Sequence, residues 1–513
     1  MLRPFDWIDA LIGELEQGPA RVVNRTDPRR MESEVVLERQ YEHEPDRELE
    51  SARGDRLGEP ISRIVGFYQM LLRRTLEHFF PGAQLEVVGD RSLIDWAASP
   101  DESYYRLHDD PGGLGVEIEW LGTRLAFQAG SPMPLLPSER RMVEVIVEAI
   151  DLRLRGLINA DVTNRLDRFS FTPEDLIIAD YLGAIRPYRV AAALEALRIA
   201  ALSTYENRRV SMGAMLLGTD DDPAAPRREN PGAPNFNARL TAIKGFHRLC
   251  DGVRTVFLVD RQGDLLRLID VARWAEAVGG DEPLSHPCPV LYRDHARATR
   301  TGGHVCLVLT PLQEIKVFAN GTLAFNFSDA RWRLLDIPSK FAVWCEAVGT
   351  LGWPGLAEAL FQAALNLMES RHGALLVVLR DPESSVPQLL TLPDQIEREI
   401  VADDPEDPDN LSPKHAKRSL HHVVRGLTLA EIEPSVLEAI ASLDGAVVTD
   451  LDGRLLTFAA ILRIAPETLE LGRAVQGART LAALAASLHG PVLKVSEDGY
   501  LTMFLKGRRV WEL

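Results

Sequence analysis

Ser442-Leu443-Asp444-Gly445-Ala446 and, further along, Gly477-Ala478-Arg479-Thr480 are the two stretches on which the reading of this chain turns. A helical run over 434–443 ends at the first of them, and an apolar strand, Ala446-Val447-Val448, begins as it closes. Asp444 and Gly445 are therefore expected on a helix-to-strand turn, the kind of position where chemistry concentrates. The glycine would let backbone N–H groups approach a ligand. The aspartate is the hard oxygen donor that magnesium or manganese takes when bridging phosphates. An ordinary turn has the same Asp-Gly composition, so the pair alone does not choose between the two readings. Gly477 precedes a small-residue helix expected over 479–487, whose first N–H groups have no internal partner and attract anions. Arg479 adds a planar fork of donors suited to phosphate oxygens; a plain helix start would look similar.

Taken in order, Arg371-His372-Gly373-Ala374-Leu375-Leu376-Val377-Val378, then Asp444-Gly445-Ala446, then Gly477-Ala478-Arg479, then Val495-Ser496-Glu497-Asp498-Gly499 follow the landmarks of one family. The region 356–509 resembles the bacterial diadenylate cyclase (DAC, DisA_N) domain. That resemblance implies an α/β domain, a mixed sheet wrapped by helices, that joins two ATP molecules into cyclic di-AMP. It places Asp444, Gly445, Ala446 and Arg479 in the catalytic site, with Gly477, Ala478, Thr480, Leu462, Ser496 and Glu497 around the nucleotide. Asp444 and Glu497 would hold Mg or Mn. With one ATP per domain, forming both phosphodiester bonds requires two domains face to face across a two-fold axis, hence self-association.

The departures matter as much. Where the family has an Arg-His-Arg motif, this chain has Arg479-Thr480-Leu481; Leu443 and Ile461 stand where the family often has a histidine and an adenine-stacking tyrosine. Two missing charged phosphate contacts would slow turnover by roughly a thousandfold, at about 1.4 kcal/mol per factor of ten, unless other cations compensate. Lys494, Lys506, Arg463, Arg473, Arg508 and Arg509 are nearby in sequence, and the Arg508-Arg509 pair is the expected substitute. The alternative reading is a catalytically degenerate DAC-like domain that binds ATP or a cyclic dinucleotide as a sensor; a scaffold without ligand would leave the ordered motifs unexplained.

The whole chain sets bounds on these readings. It has 513 residues, 46% of them hydrophobic, which is enough for several domains each with its own core. A net charge of −18 argues against nonspecific binding to DNA, RNA or an anionic membrane, which depends on clustered Lys and Arg. Cys250, Cys288, Cys306 and Cys345 form no C-x-x-C pair and read as core thiols. The first twenty or so residues are interrupted by Asp6, Asp9, Glu14 and Glu16, so no signal peptide is expected, and no apolar run has transmembrane length. A cytoplasmic protein is the expectation. Ending at Leu513, the chain is also expected to lack the C-terminal DNA-binding domain of some diadenylate cyclases.

Upstream, the expected organisation is a helix (5–15) and charged, disordered arm (1–59), a small α+β module (60–160) and a helical plus β-rich sensor-like domain (161–350), ahead of the DAC-like domain (351–513). The fold class is thus α/β at the C-terminus and multi-domain α+β for the chain. Strands are expected at 85–88, 116–120 and 125–127, and a helix capped by Ser138 runs to about residue 158. The segment 204–209, Tyr-Glu-Asn-Arg-Arg after a threonine, is either a ligand contact or a solvated turn. Hairpins are expected around 260–263 and 319–321. This β-rich block resembles the DACNV-type probable sensor domain that precedes DAC domains. His286, His295 and His304 have irregular spacing and no patterned acid partner, so they are not expected to form a metal site. Trp332, Trp344 and Trp353 are expected to pack between domains.

Overall fold

The computed structural model describes residues 58–90, 105–110, 115–120, 123–129, 134–158, 171–183, 187–205, 208–218, 234–242, 245–278, 282–391, 394, 424, 426–464 and 477–513. The expected helix over 5–15, nearly all of the charged arm, most of the 218–237 loop, the acidic stretch 403–409, the basic run 414–422 and Arg473 lie outside the described residues. So do Glu206 and Asn207 of the 204–209 candidate.

In the first module, helices α1 (Gly58–Phe79) and α2 (Pro137–Ile158) share a core with a four-stranded antiparallel sheet. Its strands are β1 (Gln84–Asp90), β2 (Tyr105–Asp109), β3 (Val116–Trp120) and β4 (Thr123–Gln128), in the order β1-β4-β3-β2. The alternation Val116, Ile118, Trp120 buries one face of β3 and leaves Glu117 and Glu119 on the other. Ser138 does not cap α2. It lies inside the first turn and gives its hydroxyl proton to Asp336, while Glu139 accepts the Leu136 N–H at 3.0 Å.

Helices α3 (Pro173–Tyr181) and α4 (Pro187–Ala201), with the two-stranded ribbon β5 (Thr204–Tyr205) and β6 (Arg208–Arg209), lead into the central module. Its strands are β7 (Met212–Leu216), β8 (Thr255–Val259), β9 (Leu265–Asp270), β10 (Val305–Leu309), β11 (Ile315–Ala319), β12 (Thr322–Ser328) and β13 (Arg331–Leu334). They form a seven-stranded sheet in the order β13-β12-β11-β10-β7-β8-β9. Only β7 and β8 are parallel. Helix α5 (Val271–Val278) follows β9, α6 (Arg293–Ala298) lies between α5 and β10, and α7 (Ile337–Val348) follows β13. Every residue of β7, β10 and β11 is buried, because both faces of the sheet are covered. Leu307 and Val317 face α3, α4 and the first module, whereas Val308 and Phe318 face the C-terminal module.

The C-terminal module begins with α8 (Leu356–Glu369) and β14 (Ala374–Leu379), followed by α9 (Pro382–Leu389), α10 (Pro434–Ala441), β15 (Ala446–Asp450), β16 (Leu455–Ala460), α11 (Ala478–Ala486), β17 (Val492–Val495), β18 (Leu501–Leu505) and β19 (Arg508–Glu512). Its sheet, β16-β15-β14-β17-β18-β19, is mixed: β14 and β15 run parallel and the other neighbours antiparallel. Leu376 and Val378 point toward α8 and the central module; Leu375, Val377 and Leu379 point toward α11 and α9. The chain is therefore a multi-domain α+β protein built on mixed and antiparallel sheets, with a mixed sheet wrapped by helices at its C-terminus.

One apolar core runs without interruption from Leu258 and Val308 of the central sheet, through Trp344 of α7 and Phe361 of α8, to Leu376 of the C-terminal sheet. Trp344 Nε1 of α7 donates to the Ala357 carbonyl of α8 at 2.9 Å and so joins the central and C-terminal modules, whereas the Trp353 amide donates to Leu451 O at 3.0 Å within the C-terminal module. Trp332 instead joins the first module, its amide donating to His78 Nε2 at 3.0 Å. Burial pushes the Cys250 and Cys288 thiols up to about 11 and about 12, so both are protonated core groups at neutral pH.

Because Phe361 is fully buried in this shared core, Phe361→Ala should cost about 3–5 kcal/mol in urea denaturation. The central and C-terminal modules should also melt in one transition. Two well-separated transitions in the unmodified protein would show that the shared core does not couple them.

Candidate functional site

The parallel pairing of β14 with β15 and the antiparallel pairing of β14 with β17 bring three chain segments to one end of the sheet. Ala374 at the start of β14 is registered with Val495 at the end of β17, and Leu376 with Val447 next to the start of β15. Gly373, Asp444 and Glu497 each lie at that end. Arg479, in the first turn of α11, reaches across them.

The Arg479 guanidinium joins the three. Its Nη1 lies 2.9 Å from Glu497 Oε1 and its Nη2 lies 3.0 Å from Asp444 Oδ1. It rests against Gly373, where an added Cβ would stand 1.9 Å from Nη1, so no larger residue fits without moving the arginine. The Asp444 side chain is fully exposed and that of Glu497 is 71% exposed, whereas Arg479 is two-thirds covered. The site is thus an open acidic rim around one half-buried cation. Since a guanidinium has five N–H donors, two bonds to carboxylates leave donors for a further anion.

Gly445 has φ +121°, and a Cβ there would come within 2.4 Å of the Ala459 carbonyl carbon. The glycine is required by the close passage of β16, a packing reason different from the ligand approach expected from sequence. Ala446 and Leu462 are buried in the core beneath α11, and Ile461 next to Leu462 is exposed. The Leu462 side chain is therefore packed away from the rim. Gly477 (φ +102°) and Ala478 are exposed at the start of α11. Thr480 points elsewhere, accepting a 2.9 Å hydrogen bond from Lys494 Nζ on β17. Burial lowers the Lys494 pKa, with the Arg479 and Arg509 charges adding to the effect against Glu512 and Asp498. Arg509 pairs with Glu512 at 3.5 Å on β19, two strands from β17, and Arg463 turns toward the Pro387 carbonyl. Among the expected substitute cations that lie in the described residues, Lys494 is held against a motif residue.

Ser496 builds the turn that presents Glu497. Its amide donates to Tyr500 O at 2.8 Å, its carbonyl accepts from Gly499 N at 3.0 Å and its hydroxyl lies 3.3 Å from Asp498 Oδ2. That hydroxyl is engaged within the turn and not toward the rim. Arg371 fastens the same turn from outside: its Nη1 donates to the Asp498 carbonyl, and its guanidinium lies where a Cβ on Gly499 would be, 2.7 Å from Cζ. Arg371 adopts a left-handed backbone, φ +58°, to reach this position.

The other end of Arg371 is tied to the central module. Its Nη2 donates to Glu314, which also lies 3.3 Å from Lys316 Nζ; Lys316 in turn lies 2.8 Å from Glu369 at the end of α8. Glu314 and Lys316 are both buried. Nothing in the sequence marks these acids and bases as partners, because they come from a turn, a strand and a helix end in different modules. Burial alone would raise the Glu314 pKa, but Lys316 and Arg371 outweigh it and hold the carboxyl below its ordinary 4.5.

Mg or Mn fits the chemistry of Asp444 and Glu497. Magnesium commonly takes one or two carboxylates and completes its shell with water and substrate phosphates. Each of these two carboxylates commits one oxygen to Arg479 and keeps a second. Among the described residues no group of three or more His, Cys, Asp or Glu is arranged to hold a metal without such a substrate.

No protein-family profile and no curated protein matches the chain. Among solved structures, it is similar to a hypothetical membrane spanning protein from Bacillus cereus, at 23% identity over 30% of this chain and 61% of that one, with a TM-score of 0.19. It is also similar to a double-cysteine mutant of DacA from Staphylococcus aureus, at 18% identity over 30% of this chain and 84% of that one, with a TM-score of 0.17. At these scores neither likeness carries an argument for this protein. No helix among the described residues is long and apolar enough to cross a membrane.

Two outcomes test this geometry. Gly373→Ala should displace Arg479 and, through it, Asp444 and Glu497; a crystal structure of the variant with the guanidinium unmoved would refute the contact. Glu314 is ionised below its ordinary pKa in the folded state, so its stabilisation is complete above about pH 4.5 and is lost as pH falls through the lowered folded value. Glu314→Gln should lower stability at pH 7 by about 3–5 kcal/mol and flatten the acid limb of a Tm-versus-pH curve. An unchanged acid limb would remove Glu314 from the account.

Proposed function

We propose that the C-terminal module is a diadenylate cyclase-like nucleotidyltransferase that condenses two ATP molecules into cyclic di-AMP under the control of the modules before it. One observation carries the reading: Asp444, Arg479 and Glu497, far apart in sequence, converge on one sheet end beside Gly373. Two carboxylates and an arginine at an open rim are the groups that metal-assisted phosphoryl transfer requires.

In this reading Arg479 uses its remaining donors on the triphosphate and steadies charge on the α-phosphate as the 3′-hydroxyl of a second ATP attacks. One P–O bond forms, the bond to pyrophosphate breaks, and the hydroxyl proton leaves toward the Asp444 side. A second, symmetric event closes the ring. Asp444 and Glu497 would hold Mg or Mn, which when bound supplies Lewis-acid polarisation of the phosphate and lowers the pKa of the attacking alcohol. The exposure of Asp444 and Glu497 suits a site completed by a second copy, face to face, each copy bringing one ATP. Lys494, held by Thr480 beneath the start of α11, is the cation best placed to replace part of the family's lost Arg-His-Arg charge.

A second reading, a nucleotide or cyclic dinucleotide sensor without turnover, is favoured by a specific observation: the single motif arginine is already bonded to both carboxylates. Purified protein incubated with ATP and manganese or magnesium, with products resolved by chromatography, separates the two. Cyclic di-AMP should form with the unmodified protein and not with Asp444→Asn. Arg479→Ala should reduce the rate by about a hundred- to a thousandfold, the usual effect of removing one charge-stabilising donor. Binding of ATP or cyclic di-AMP without product would select the sensor reading, and neither binding nor product would end both.

A further inference from the structure

A cavity of about 330 Å³ lies where all three modules meet, walled by Phe79 and Phe80 of the first, Arg333 and Lys340 of the central, and Tyr500 and Trp511 of the C-terminal module. Its volume is that of a small-ligand pocket. Its polar groups are unusual for an interior. Lys340 is 2% exposed, yet its ammonium makes one hydrogen bond, to the Glu512 carbonyl at 2.8 Å, and no carboxylate among the described residues lies within ion-pair distance of it. The neighbouring acids are engaged elsewhere. Asp336 accepts from Ser138 and from Ser339 N, Glu139 accepts from Leu136 N, and Glu512 accepts from Thr502 and faces Arg509. Burial accordingly lowers the Lys340 pKa, and Glu139, Asp336 and Glu512 offset it only in part.

Arg333 repeats the pattern. Its Nη2 donates to Ser328 Oγ at 3.0 Å, while Nε and Nη1 are buried without an acceptor and the guanidinium sits 4.1 Å from the centre of the Tyr500 ring. Trp511 Nε1 is likewise buried without an acceptor. Buried donors are normally satisfied, and an ammonium held away from water normally has an anion beside it. Two cations with too few acceptors and an indole N–H with none, all on residues that line one aromatic-walled cavity, call for an anionic oxygen attached to an apolar body.

We propose that this cavity binds a small organic anion, a carboxylate or phosphate carried on an aromatic or aliphatic body, with Lys340 and Arg333 as its anion-binding residues. The body lies against the aromatic wall, and its oxygens take up the donors left open. Binding itself is independent of the nucleotide reading. If that reading holds, the ligand also bears on the rim, because Tyr500 O receives the Ser496 amide at 2.8 Å and so anchors the turn that presents Glu497.

The test uses the full chain with phenyl phosphate and benzoate as probes, inorganic phosphate to separate anion from body, and phenol as the uncharged control. In calorimetry and thermal melts, phenyl phosphate or benzoate should bind and raise Tm, phenol should not, and inorganic phosphate alone should bind at least tenfold more weakly. Whichever anion binds more tightly assigns the head group. Lys340→Met, which removes the buried charge at similar volume, should keep or raise the ligand-free Tm and weaken binding at least tenfold. Should that variant fail to fold, Arg333→Gln should weaken binding several-fold. No binding of either aromatic anion to the unmodified protein, or unchanged affinity in the folded variants, overturns the proposal; nucleotide turnover is not used, so that result would leave the proposed activity untouched.

Discussion

A lysine in a strand that is buried on both faces has to be neutralised where it stands. Lys316 is such a residue: every position of β11 is buried, and Lys316 faces the layer between the central and C-terminal sheets. An unpaired ammonium there would cost several kcal/mol. Glu369 at the end of α8 and Glu314 at the start of the same hairpin meet this demand, and Arg371 balances the second carboxylate. The relative placement of the two sheets follows from this pairing together with the apolar core around Phe361 and Trp344. Apolar packing tolerates small slides between helices and sheets, whereas a bonded chain of acids and bases admits few arrangements.

The same chain of charges ends at the site. Arg371 holds the Asp498 carbonyl and fills the space beside Gly499, so the turn carrying Glu497 is braced by a residue whose other contact belongs to the central module. On the opposite side of the turn, Tyr500 stacks on Arg333 of β13. The rim of Asp444, Arg479 and Glu497 is therefore not supported by its own module alone. It stands on groups contributed by the β-rich module, which gives the proposed control by upstream domains a physical route.

Much of this was legible in one dimension. Apolar runs such as Ala374–Leu379 and Val305–Leu309 coincide with fully buried strands, and Gly445 and Gly477 mark turns with positive φ. Strand β2 was not anticipated because three of its five residues are exposed and Arg106, His108 and Asp109 hide any apolar alternation. Strand β13 is hidden for a related reason: Arg331 and Arg333 flank Trp332, and Arg333 is half-buried. Ser138 looked like a helix cap because a serine before a charged first turn usually is one; its hydroxyl instead found Asp336 of another module. Leu462 and Ser496 were placed at the nucleotide by analogy of order, yet the first is packed beneath α11 and the second closes its own turn.

The sequence by itself determined the local elements, the layered α+β character and the identity of the acids and the arginine at the rim. The elements follow from periodicity and turn composition, which are properties of neighbouring residues, and the rim residues were singled out together by the motif order of the resemblance. Only the tertiary structure decided that Arg479 lies on Gly373 between two carboxylates, that Lys316 needs partners from α8, and that Lys340 and Arg333 line one cavity without a carboxylate partner among the described residues. Each of those facts depends on strand order and on which sheet faces which helix. Such pairings join residues separated by tens to hundreds of positions, and their energies depend on burial that no single segment can establish for itself.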